Sequence, residues 1–595
     1  MSKQRRSLSN RTDGILTVIL AIATLISLFG LLFSLRNAYL CCHDSMTNFV
    51  DARKNSIPDF YRLNFTYSLH RGKITVLFPL VATFRDIVMS TGDYLNLWLL
   101  QYVPIVAVVA LISFILGKKT TVNIGLSFSL FFTTFLQVDC WHSLIVCYPL
   151  DFMYGLFMAI LGVWFFVTFL NRKSRGLKSR FIWLVLSLIC YYASLATYEA
   201  FITLSIIYAL LAFLHCLKCD KKFKTFVIDL LPHAIVGVIY LVLVLLLSRK
   251  YQVGTGSEAY GMFNGSPEDA LRTWYGFSTS MFPLKQFDVV NGQNVIRDYA
   301  FLSKSRVIIT VGATVGSLVS SVIIFRQGRV MEEARKKNIC NKLLTIGASG
   351  LILGSTFALP HSLSSHYQEW FIDGNALGYV PSTICYFGWM IMLVCALAFL
   401  LLKLSRLPKP LTATIAIVLC FVTLCGSAMT NTSNQTFWGA TTGVTLKART
   451  FRDYFMSDDF RQKDYRLVCC PDFIGLHFNF ATNEAYIKQE TGREDIALIN
   501  DLDQFASVAM QYQNPMLFRY NAEDSVAMII PIVSEENGVL YSNSVSFYSV
   551  LGGNFRFSLI NGDESSVIEL TLVPGVIATY ECEMSNVMDF TVVVN

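Results

Sequence analysis

Eleven long apolar segments, separated by short polar connections, constrain this chain more than any other feature of its 595 residues. The hydrocarbon core of a bilayer is about 30 Å thick, and a helix needs roughly 20 consecutive apolar residues to cross it. The sequence therefore predicts an α-helical polytopic membrane protein. The predicted spans are Gly14–Leu35, Leu95–Leu116, Thr121–Val138, Cys147–Leu170, Arg180–Thr197, Ala200–Leu217, Thr225–Ser248, Val307–Phe325, Lys342–Leu359, Tyr379–Leu402 and Leu411–Met429.

Charge is scarce and is concentrated between these segments. Only 15% of the residues are charged and 54% are hydrophobic, whereas a soluble protein usually has about a quarter charged residues. The net charge of +7 comes from short runs of Lys and Arg between the apolar segments. Such runs are typical of cytoplasmic loops. We therefore expect membrane lipid around the protein and no nucleic-acid partner.

The basic connections also predict the orientation of the chain. With eleven spans, every basic loop lies on the same side as the basic N-terminus. Because Lys and Arg accumulate in cytoplasmic loops, the N-terminus is predicted inside and the C-terminal region outside. The first span has no cleavage site after it and is predicted to be a retained signal anchor. The basic connections are Lys118–Lys119, Arg172–Arg180, Lys218–Lys224, Arg326–Lys342 and Lys403–Lys409.

Two regions outside the spans have a predicted structure of their own. Ile74–Met89, in the outer loop 36–94, is apolar but short and contains Arg85–Asp86, so we predict a helix at the membrane interface. Residues 430–595 have ordinary polarity, and their alternating segments between turn signals predict a small β-rich domain. The predicted domains are therefore 1–429 and 430–595. Strands are predicted at Val539–Val550, Phe555–Ile560, Ser566–Leu572 and Phe590–Val594.

The outer loop after the first span contains the first candidate catalytic residues, Asp44 and Asp51. A carboxylate at the mouth of a membrane cavity could take a proton from an acceptor hydroxyl, with His43 beside it. The alternative is an ordinary solvated loop carboxylate. Arg71 and Lys73, in the same loop, could bind a lipid phosphate or could simply attract anionic headgroups.

Glu199 is the second candidate catalytic residue. It follows Tyr198 and is the only charged residue within a long apolar stretch. An ionisable side chain at membrane depth is costly and usually faces a cavity or a partner. We predict two helices that meet near these residues on the outer side. A structural pair with a His or an Arg is the alternative to a functional role.

Two further outer loops combine aromatic and polar side chains. The loop after the seventh span contains Arg272 among Gly, Trp and Tyr residues, and aromatic rings stack on sugars while cations bind phosphate. The segment Pro360–Trp370 has two histidines five positions apart, a poor fit to one helix face, so a zinc site is not expected. It is predicted to form a polar cavity rim with His361, His366, Tyr367 and Glu369.

The order of these features resembles bacterial polytopic membrane glycosyltransferases of the GT-C type, and among them the relatives of serotype-converting O-antigen glucosyltransferases. The resemblance covers residues 10–430. It is carried by the signal anchor, the acidic outer loop, the RGK at residues 71–73, the Tyr-Pro at residues 148–149, the Tyr-Glu at residues 198–199 and the segment LPHSLSSHYQEWFIDGNALGYVPSTICYFG.

This resemblance implies a function and roles for individual residues. A sugar would pass from a polyprenyl-phosphate carrier to a glycan or lipid of the cell surface, on the outer face of a bacterial plasma membrane. Asp44 would activate the acceptor hydroxyl, and basic residues such as Arg71 and Lys73 would hold the phosphate. Many relatives have two adjacent acids where this chain has His43–Asp44, so a requirement for a divalent cation stays open.

Two other classes of function remain as alternatives. One is a transporter or flippase of lipid-linked glycans, and the other is a catalytically silent scaffold whose outer domain binds a wall polymer. Ionisable groups on the outer face and the lack of a visible inverted repeat favour the glycosyltransferase over the transporter. The enzyme hypothesis requires Asp44 to line the same outward-facing cavity as Glu199 and Tyr367.

Overall fold

The chain folds into two compact units in a computed structural model. The first, here the helical unit, comprises Met1–Arg36, Ile57–Val88 and Leu95–Trp438, and the second, the C-terminal unit, comprises Asn37–Ser56, Met89–Tyr94 and Gly439–Asn595. The structure describes residues 2–34, 43–70, 74–137, 144, 148, 150–171, 177–217, 219, 222–251, 265–284, 304–373, 380–471, 480–521, 524–561, 564–584, 586–587 and 591–594, and all that follows concerns those residues.

Helices account for nearly all of the described chain before residue 456. In chain order they are α1 (Ser2–Ser34), α2 (His43–Lys54), α3 (Ile57–His70), α4 (Leu77–Ser90), α5 (Tyr94–Lys119), α6 (Val122–Phe135), α7 (Asp151–Asn171), α8 (Leu177–Thr197), the 3₁₀ helix Glu199–Thr203, α9 (Leu204–Cys216), α10 (Lys222–Tyr251), α11 (Pro267–Thr279), α12 (Lys304–Val330), α13 (Glu333–Thr356), α14 (Leu359–Ser362), α15 (Ser365–Ile372), α16 (Val380–Leu404) and α17 (Lys409–Phe455).

Ten of the described helices are long and apolar enough to cross a membrane, which confirms the polytopic helical fold. Their apolar parts are Thr12–Leu32, Leu95–Lys119, Asp151–Asn171, Arg180–Thr197, Glu199–Cys216, Phe223–Leu247, Arg306–Val330, Glu333–Ser362, Val380–Leu404 and Lys409–Asn434. All ten coincide with predicted spans. The interfacial segment predicted before the second span forms α4, a helix of 14 residues.

The one predicted span that is missing from these ten, Thr121–Val138, is the third in chain order, and its helix is shorter than expected. Its helix, α6, has 14 residues, or about 21 Å, against a hydrocarbon core of about 30 Å. The chain turns extended at Leu136, whose carbonyl accepts a hydrogen bond of 2.7 Å from Asn434. The next residue, Gln137, donates a bond of 2.7 Å to the carbonyl of Phe282. These side chains satisfy non-helical backbone inside the protein, the setting in which membrane proteins tolerate it.

Small residues allow a close helix contact in the helical unit. Gly350 and Gly354 of α13 face Gly388 of α16 so closely that a Cβ atom on Gly388 would lie 2.2 Å from the backbone nitrogen of Gly354. Glycines at such positions let two membrane helices approach backbone to backbone, where van der Waals contact drives their association. This pair of helices therefore depends on the absence of side chains at the contact.

Hydroxyl groups link the inner helices. Ser127 of α6 and Ser320 of α12 share a hydrogen bond of 2.6 Å, and Ser317 of α12 and Thr423 of α17 share one of 2.8 Å. Between apolar helices each such bond contributes about 1 kcal/mol. They favour one register of α6, α12 and α17 over others.

The C-terminal unit is rich in β-strands, as predicted, and contains two sheets. The larger has the order β2-β1-β3-β4-β6-β5, with β9 also paired to β6, and the smaller has the order β10-β7-β8. Its elements are α18 (Asp458–Lys463), β1 (Leu467–Cys469), α19 (Phe480–Thr491), β2 (Ala497–Ile499), α20 (Leu502–Val508), the 3₁₀ helix Ala509–Gln511, β3 (Pro515–Asn521), β4 (Val526–Pro531), β5 (Ser534–Glu536), β6 (Val539–Ser549), β7 (Gly553–Asn561), β8 (Glu564–Leu572), β9 (Ile577–Met584) and β10 (Thr591–Val594).

The four strands predicted from alternation correspond to β6, β7, β8 and β10. The parallel part of the larger sheet was not predicted. In it, β1 lies between β2 and β3 and is parallel to both. All three residues of β1 are buried, and a fully buried strand of this length shows no alternation by which a sequence could reveal it.

Helix α2, which carries Asp44 and Asp51, packs within the C-terminal unit. Phe49 is 2% exposed and its ring lies 5.6 Å from that of Tyr486 in α19. The carbonyl of Val50 accepts a hydrogen bond of 3.0 Å from Gln489. The C-terminal unit therefore includes this helix, which the sequence predicts in the outer loop of the membrane domain, besides most of the predicted domain 430–595.

Candidate functional site

A break between two helices positions the central residues of the candidate site. Helix α8 ends at Thr197, and Tyr198 is extended, with φ −152° and ψ 129°. The 3₁₀ helix then begins at Glu199 and leads into α9 at Leu204. The sequence predicted two helices meeting at these residues, and the structure has this arrangement.

Three of the predicted site residues come together at this break, and we call them the Tyr198 cluster: Tyr198, His361 and Tyr367. The Tyr198 hydroxyl hydrogen-bonds to Nε2 of His361, which is 4% exposed. The ring of Tyr367 lies 5.1 Å from the His361 ring, and that of Phe152 meets Tyr198 edge-on at 4.9 Å. Residues 163 positions apart thus form one polar and aromatic surface.

The neighbouring His366 belongs to the same segment but has different contacts. Its ring lies 4.3 Å from the ring of Trp370. Burial lowers the pKa of His366 and the charge of Glu369 raises it by less, so the ring is neutral at pH 7. Glu369 itself is exposed. The predicted rim is therefore divided into a buried part around His361 and an exposed part at Glu369.

A buried glutamine fixes the segment between these residues. Gln368 is 5% exposed, and its amide donates hydrogen bonds of 3.0 Å to the carbonyl of Ser266 and 2.8 Å to that of Ser362. Its side-chain oxygen accepts a bond of 2.9 Å from the Ser266 amide. Both ends of the amide are therefore used to hold α14 and α15 against the chain that precedes α11.

Glu199 lies at the start of the 3₁₀ helix and is partly buried. It is close enough to Tyr240 of α10 to interact electrostatically with its hydroxyl. A pair with a His or an Arg is the structural alternative for Glu199, and one of its neighbours in the structure is Tyr240. Its proposed catalytic role stays a prediction.

The remaining predicted residues either have exposed side chains or lie outside the described part of the chain. The Arg272 side chain is 64% exposed and lies 3.9 Å from Asp269. The Asp51 side chain is also 64% exposed and lies 3.9 Å from Lys54, as expected of a solvated carboxylate. The backbone at His43 and Asp44 forms the first turn of α2, but the side chains of His43 and Asp44, and all of Arg71 and Lys73, lie outside the described residues.

The requirement that Asp44 line a cavity with Glu199 and Tyr367 therefore stays a prediction. Asp44 belongs to the C-terminal unit, whereas Glu199 and Tyr367 belong to the helical unit. Within the described part of the chain, no three His, Cys, Asp or Glu side chains are grouped so that they could hold a metal ion.

A charged cluster that the sequence reading missed lies in the helical unit. Arg85 of α4 pairs with Asp151 at the start of α7 and, at 2.9 Å, with its neighbour Asp86. Asn64 of α3 donates a hydrogen bond of 2.7 Å to the second oxygen of Asp86. Burial lowers the pKa of Arg85, but the charges of Asp151 and Asp86 together raise it by more, so the net shift of the pKa is upward. We call Asn64, Arg85, Asp86 and Asp151 the Arg85 cluster.

A local signal for this cluster was present in the sequence. Arg85–Asp86 interrupts an apolar segment, and Asp151 stands just before a long apolar run, where a carboxylate is favoured by the helix dipole. Only folding shows that these residues, 66 positions apart, meet.

Comparison with known proteins does not assign the chain to a protein family. No protein-family model matches it, and no curated protein matches it. The resemblance to GT-C glycosyltransferases therefore depends on the short motifs quoted above.

Proposed function

We propose that this protein is a membrane glycosyltransferase that transfers a sugar from a polyprenyl-phosphate carrier to a glycan or lipid at the cell surface. The observation that supports this most directly is the Tyr198 cluster, in which a helix break brings a tyrosine hydroxyl, a buried imidazole and a second tyrosine together. The helices around it are apolar and long enough to span a membrane.

The free-energy cost of burying the polar groups of the Tyr198 cluster argues that the cluster binds a substrate. Polar groups buried among membrane helices are expensive and are commonly retained where a substrate or ion must bind. A 3₁₀ helix between α8 and α9 also interrupts regular hydrogen bonding, which membrane proteins tolerate next to cavities and protein-lined sites. Aromatic rings and hydroxyls are the groups that hold a sugar, through its apolar face and its hydroxyl groups.

The proposed step assigns the proton and the leaving group. The oxygen of the acceptor hydroxyl attacks the anomeric carbon of the sugar, and the bond from that carbon to the phosphate oxygen breaks. Polyprenyl phosphate leaves with the electron pair, and the carboxylate of Asp44 takes the hydroxyl proton. Arg85 already pairs with two carboxylates, so it is not the phosphate ligand, and Arg71 and Lys73 keep that assignment.

Removing the Tyr198 hydroxyl is expected to slow transfer. Tyr198→Phe leaves the aromatic ring but takes away the hydrogen bond to His361. A lost buried hydrogen bond of about 1–3 kcal/mol corresponds to a roughly 5- to 150-fold lower rate. The measurement is transfer of labelled sugar from polyprenyl-phosphate donors by the purified protein in liposomes, with membranes of a deletion strain as the acceptor source.

Tyr154→Phe is the matched control for this variant. It removes another buried tyrosine hydroxyl, one with no hydrogen-bond partner among the described residues, and is expected to keep the wild-type rate. Equal rates for Tyr198→Phe and Tyr154→Phe would show that the Tyr198 cluster does not serve the reaction.

Asp44→Asn is expected to abolish transfer without lowering the amount of protein. A positioned general base contributes about 10²- to 10⁴-fold to a rate, and the amide cannot accept the proton. Asp51→Asn tests the other carboxylate of α2 and is expected to have a smaller effect, because Asp51 is solvated. Asp59→Asn, in α3, controls for loss of an exposed acid. If neither variant in α2 slows the reaction, the general base is another residue. If the protein moves lipid-linked glycans across the membrane without transferring sugar, the transporter hypothesis is favoured instead.

A further inference from the structure

A cavity of about 450 Å³ lies inside the helical unit. Side chains of α5, α7, α9 and α13 form its wall, and its volume falls within the range of roughly 300–1,000 Å³ that is common for ligand pockets. Several lining side chains, such as Val163 and Ile346, are only half-buried, so the cavity is accessible from outside the helices.

One end of this cavity is cationic. Lys119, the last residue of α5, and Lys342 of α13 both line it and lie close enough for their charges to repel each other. Among the described residues, neither forms an ion pair within 4.0 Å. The adjacent Lys118 differs, since its ammonium packs over the rings of Phe114 and Trp164 at 5.5 and 5.3 Å.

The carboxylate that bonds to His215, a residue of the cavity lining, is engaged by other groups. Asp229 is 1% exposed and accepts hydrogen bonds of 2.9 Å from Arg180 and 2.8 Å from the ring of His215. Its two oxygens are therefore engaged by other cationic or polar groups. Two like charges at one end of a cavity raise the local concentration of anions there.

Beyond the lysines the cavity is a mainly apolar shaft, and the two hydroxyls of α13 that line it, on Thr345 and Ser349, donate to carbonyls of their own helix. Leu156 and Val163 of α7, Leu204 and Leu211 of α9, and Leu353 of α13 line it. At about 1.5 Å per residue, the shaft from Lys342 to Leu353 is about 16 Å long. Half of the hydrocarbon core is about 15 Å thick, so the shaft has the depth of one leaflet.

We propose that this cavity holds one acyl chain of an anionic glycerophospholipid, with the lipid phosphate between Lys119 and Lys342. The lipid belongs to the leaflet at the basic end of the helices. At this end Arg329 and Lys336 hydrogen-bond to Ser405, in the connection between α16 and α17, and Arg406 of the same connection pairs with Glu333. The cation pair lies toward the other end of α13 from His361, whereas the apolar part of the cavity extends to Leu353, in the last turn of α13 before His361.

The cation pair and the apolar shaft together favour an anionic glycerophospholipid over other ligands. A free phosphate would use the lysines but leave the apolar lining empty, and a zwitterionic lipid would fill the shaft but carry no net charge to the lysines. Each basic residue near a membrane surface contributes about 1 kcal/mol to the binding of anionic lipid. Two lysines therefore favour an anionic over a zwitterionic lipid by roughly 30-fold.

The test measures lipid binding by the purified full chain in detergent. Phosphatidylglycerol with brominated acyl chains is titrated and quenching of tryptophan fluorescence is followed, since Trp164 lines the cavity. Phosphatidylcholine with the same chains, inorganic phosphate and polyprenyl phosphate are the comparison ligands. Trp164→Phe is expected to remove the lipid-dependent part of the quenching, although seven of the eight tryptophans remain.

Two kinds of variant separate the cations from the shaft. Lys119→Gln with Lys342→Gln is expected to weaken phosphatidylglycerol binding roughly 30-fold and to leave phosphatidylcholine binding unchanged. Arg335→Gln with Lys337→Gln removes equal charge from exposed positions of α13 that do not line the cavity and is expected to change neither. Thr345→Trp, a half-buried lining position, is expected to block both lipids without removing a charge.

Several results would overturn the proposal. Equal binding of phosphatidylglycerol and phosphatidylcholine by the wild type, or unchanged binding by the double lysine variant, would rule out the cation pair as the headgroup site. Displacement of phosphatidylglycerol by inorganic phosphate at similar concentration would indicate a phosphate site. Tighter binding of polyprenyl phosphate, lost in the same variants, would assign the cavity to that lipid instead.

Discussion

Gly388→Ala is expected to prevent the helical unit from folding normally. The new Cβ would lie 2.2 Å from the nitrogen and 2.7 Å from the Cα of Gly354, and 2.6 Å from the carbonyl oxygen of Gly350. These are backbone atoms, which cannot rotate away as a side chain can, so α13 and α16 would have to separate. We expect the free energy of unfolding to fall by about 3 kcal/mol or more, measured as a lower melting temperature and loss of the monodisperse peak on gel filtration.

The same substitution at another glycine is the matched control. Gly117 lies in α5, and a Cβ added there would be 3.5 Å from Val122, an ordinary contact. Because alanine favours a helix over glycine by about 1 kcal/mol, Gly117→Ala is expected to be neutral or slightly stabilising. An intermediate effect is expected for Gly347→Ala, whose Cβ would lie 3.2 Å from that of Cys395. A melting temperature of Gly388→Ala equal to that of Gly117→Ala would contradict this account.

Arg85→Met is expected to lower stability by a similar amount. The substitution keeps a long apolar stem but leaves the carboxylates of Asp86 and Asp151 without their cation. The side chains of both acids are largely buried, 12% and 14% exposed, and removing one partner of a buried ion pair costs about 3–5 kcal/mol. Thermal unfolding of the purified protein measures the loss.

Two further variants identify the cause of that loss. Arg85→Met combined with Asp86→Asn and Asp151→Asn removes the uncompensated charges, so it is expected to recover a large part of the stability. Arg272→Met makes the same substitution at an exposed position 3.9 Å from Asp269, where an ion pair contributes about 0–1 kcal/mol. If the triple variant is no more stable than Arg85→Met, the loss comes from packing of the arginine stem and not from the charges.

The membrane spans could be read from the sequence because the bilayer imposes their length. A helix must supply about 20 apolar residues whatever it packs against, so Leu95–Leu116 and Tyr379–Leu402 could be recognised without knowing their neighbours. The same local logic found β6 and β7, whose side chains alternate between the two faces of a sheet. It failed for α6, because the non-helical residues that follow this short helix, Leu136 and Gln137, hydrogen-bond to Asn434 and Phe282 from elsewhere in the fold.

The candidate site could be predicted in part from the sequence, for a related reason. Tyr198–Glu199 and the segment with His361 and Tyr367 stood out as polar residues in apolar surroundings, which membranes make costly. Their pairing did not follow, because nothing in the local sequence indicates that Tyr198 and His361 touch.

Local patterns along this chain thus specify the membrane-spanning class, the apolar helices and the antiparallel strands, because solvent and bilayer act on each segment separately. The contacts between distant residues depend on packing: the glycine contact of Gly388, the ion pairs of Arg85, the cation pair of Lys119 with Lys342 and the placement of α2 in the C-terminal unit. Such contacts form where complementary shapes and charges meet in three dimensions, and their energies do not depend on distance along the chain.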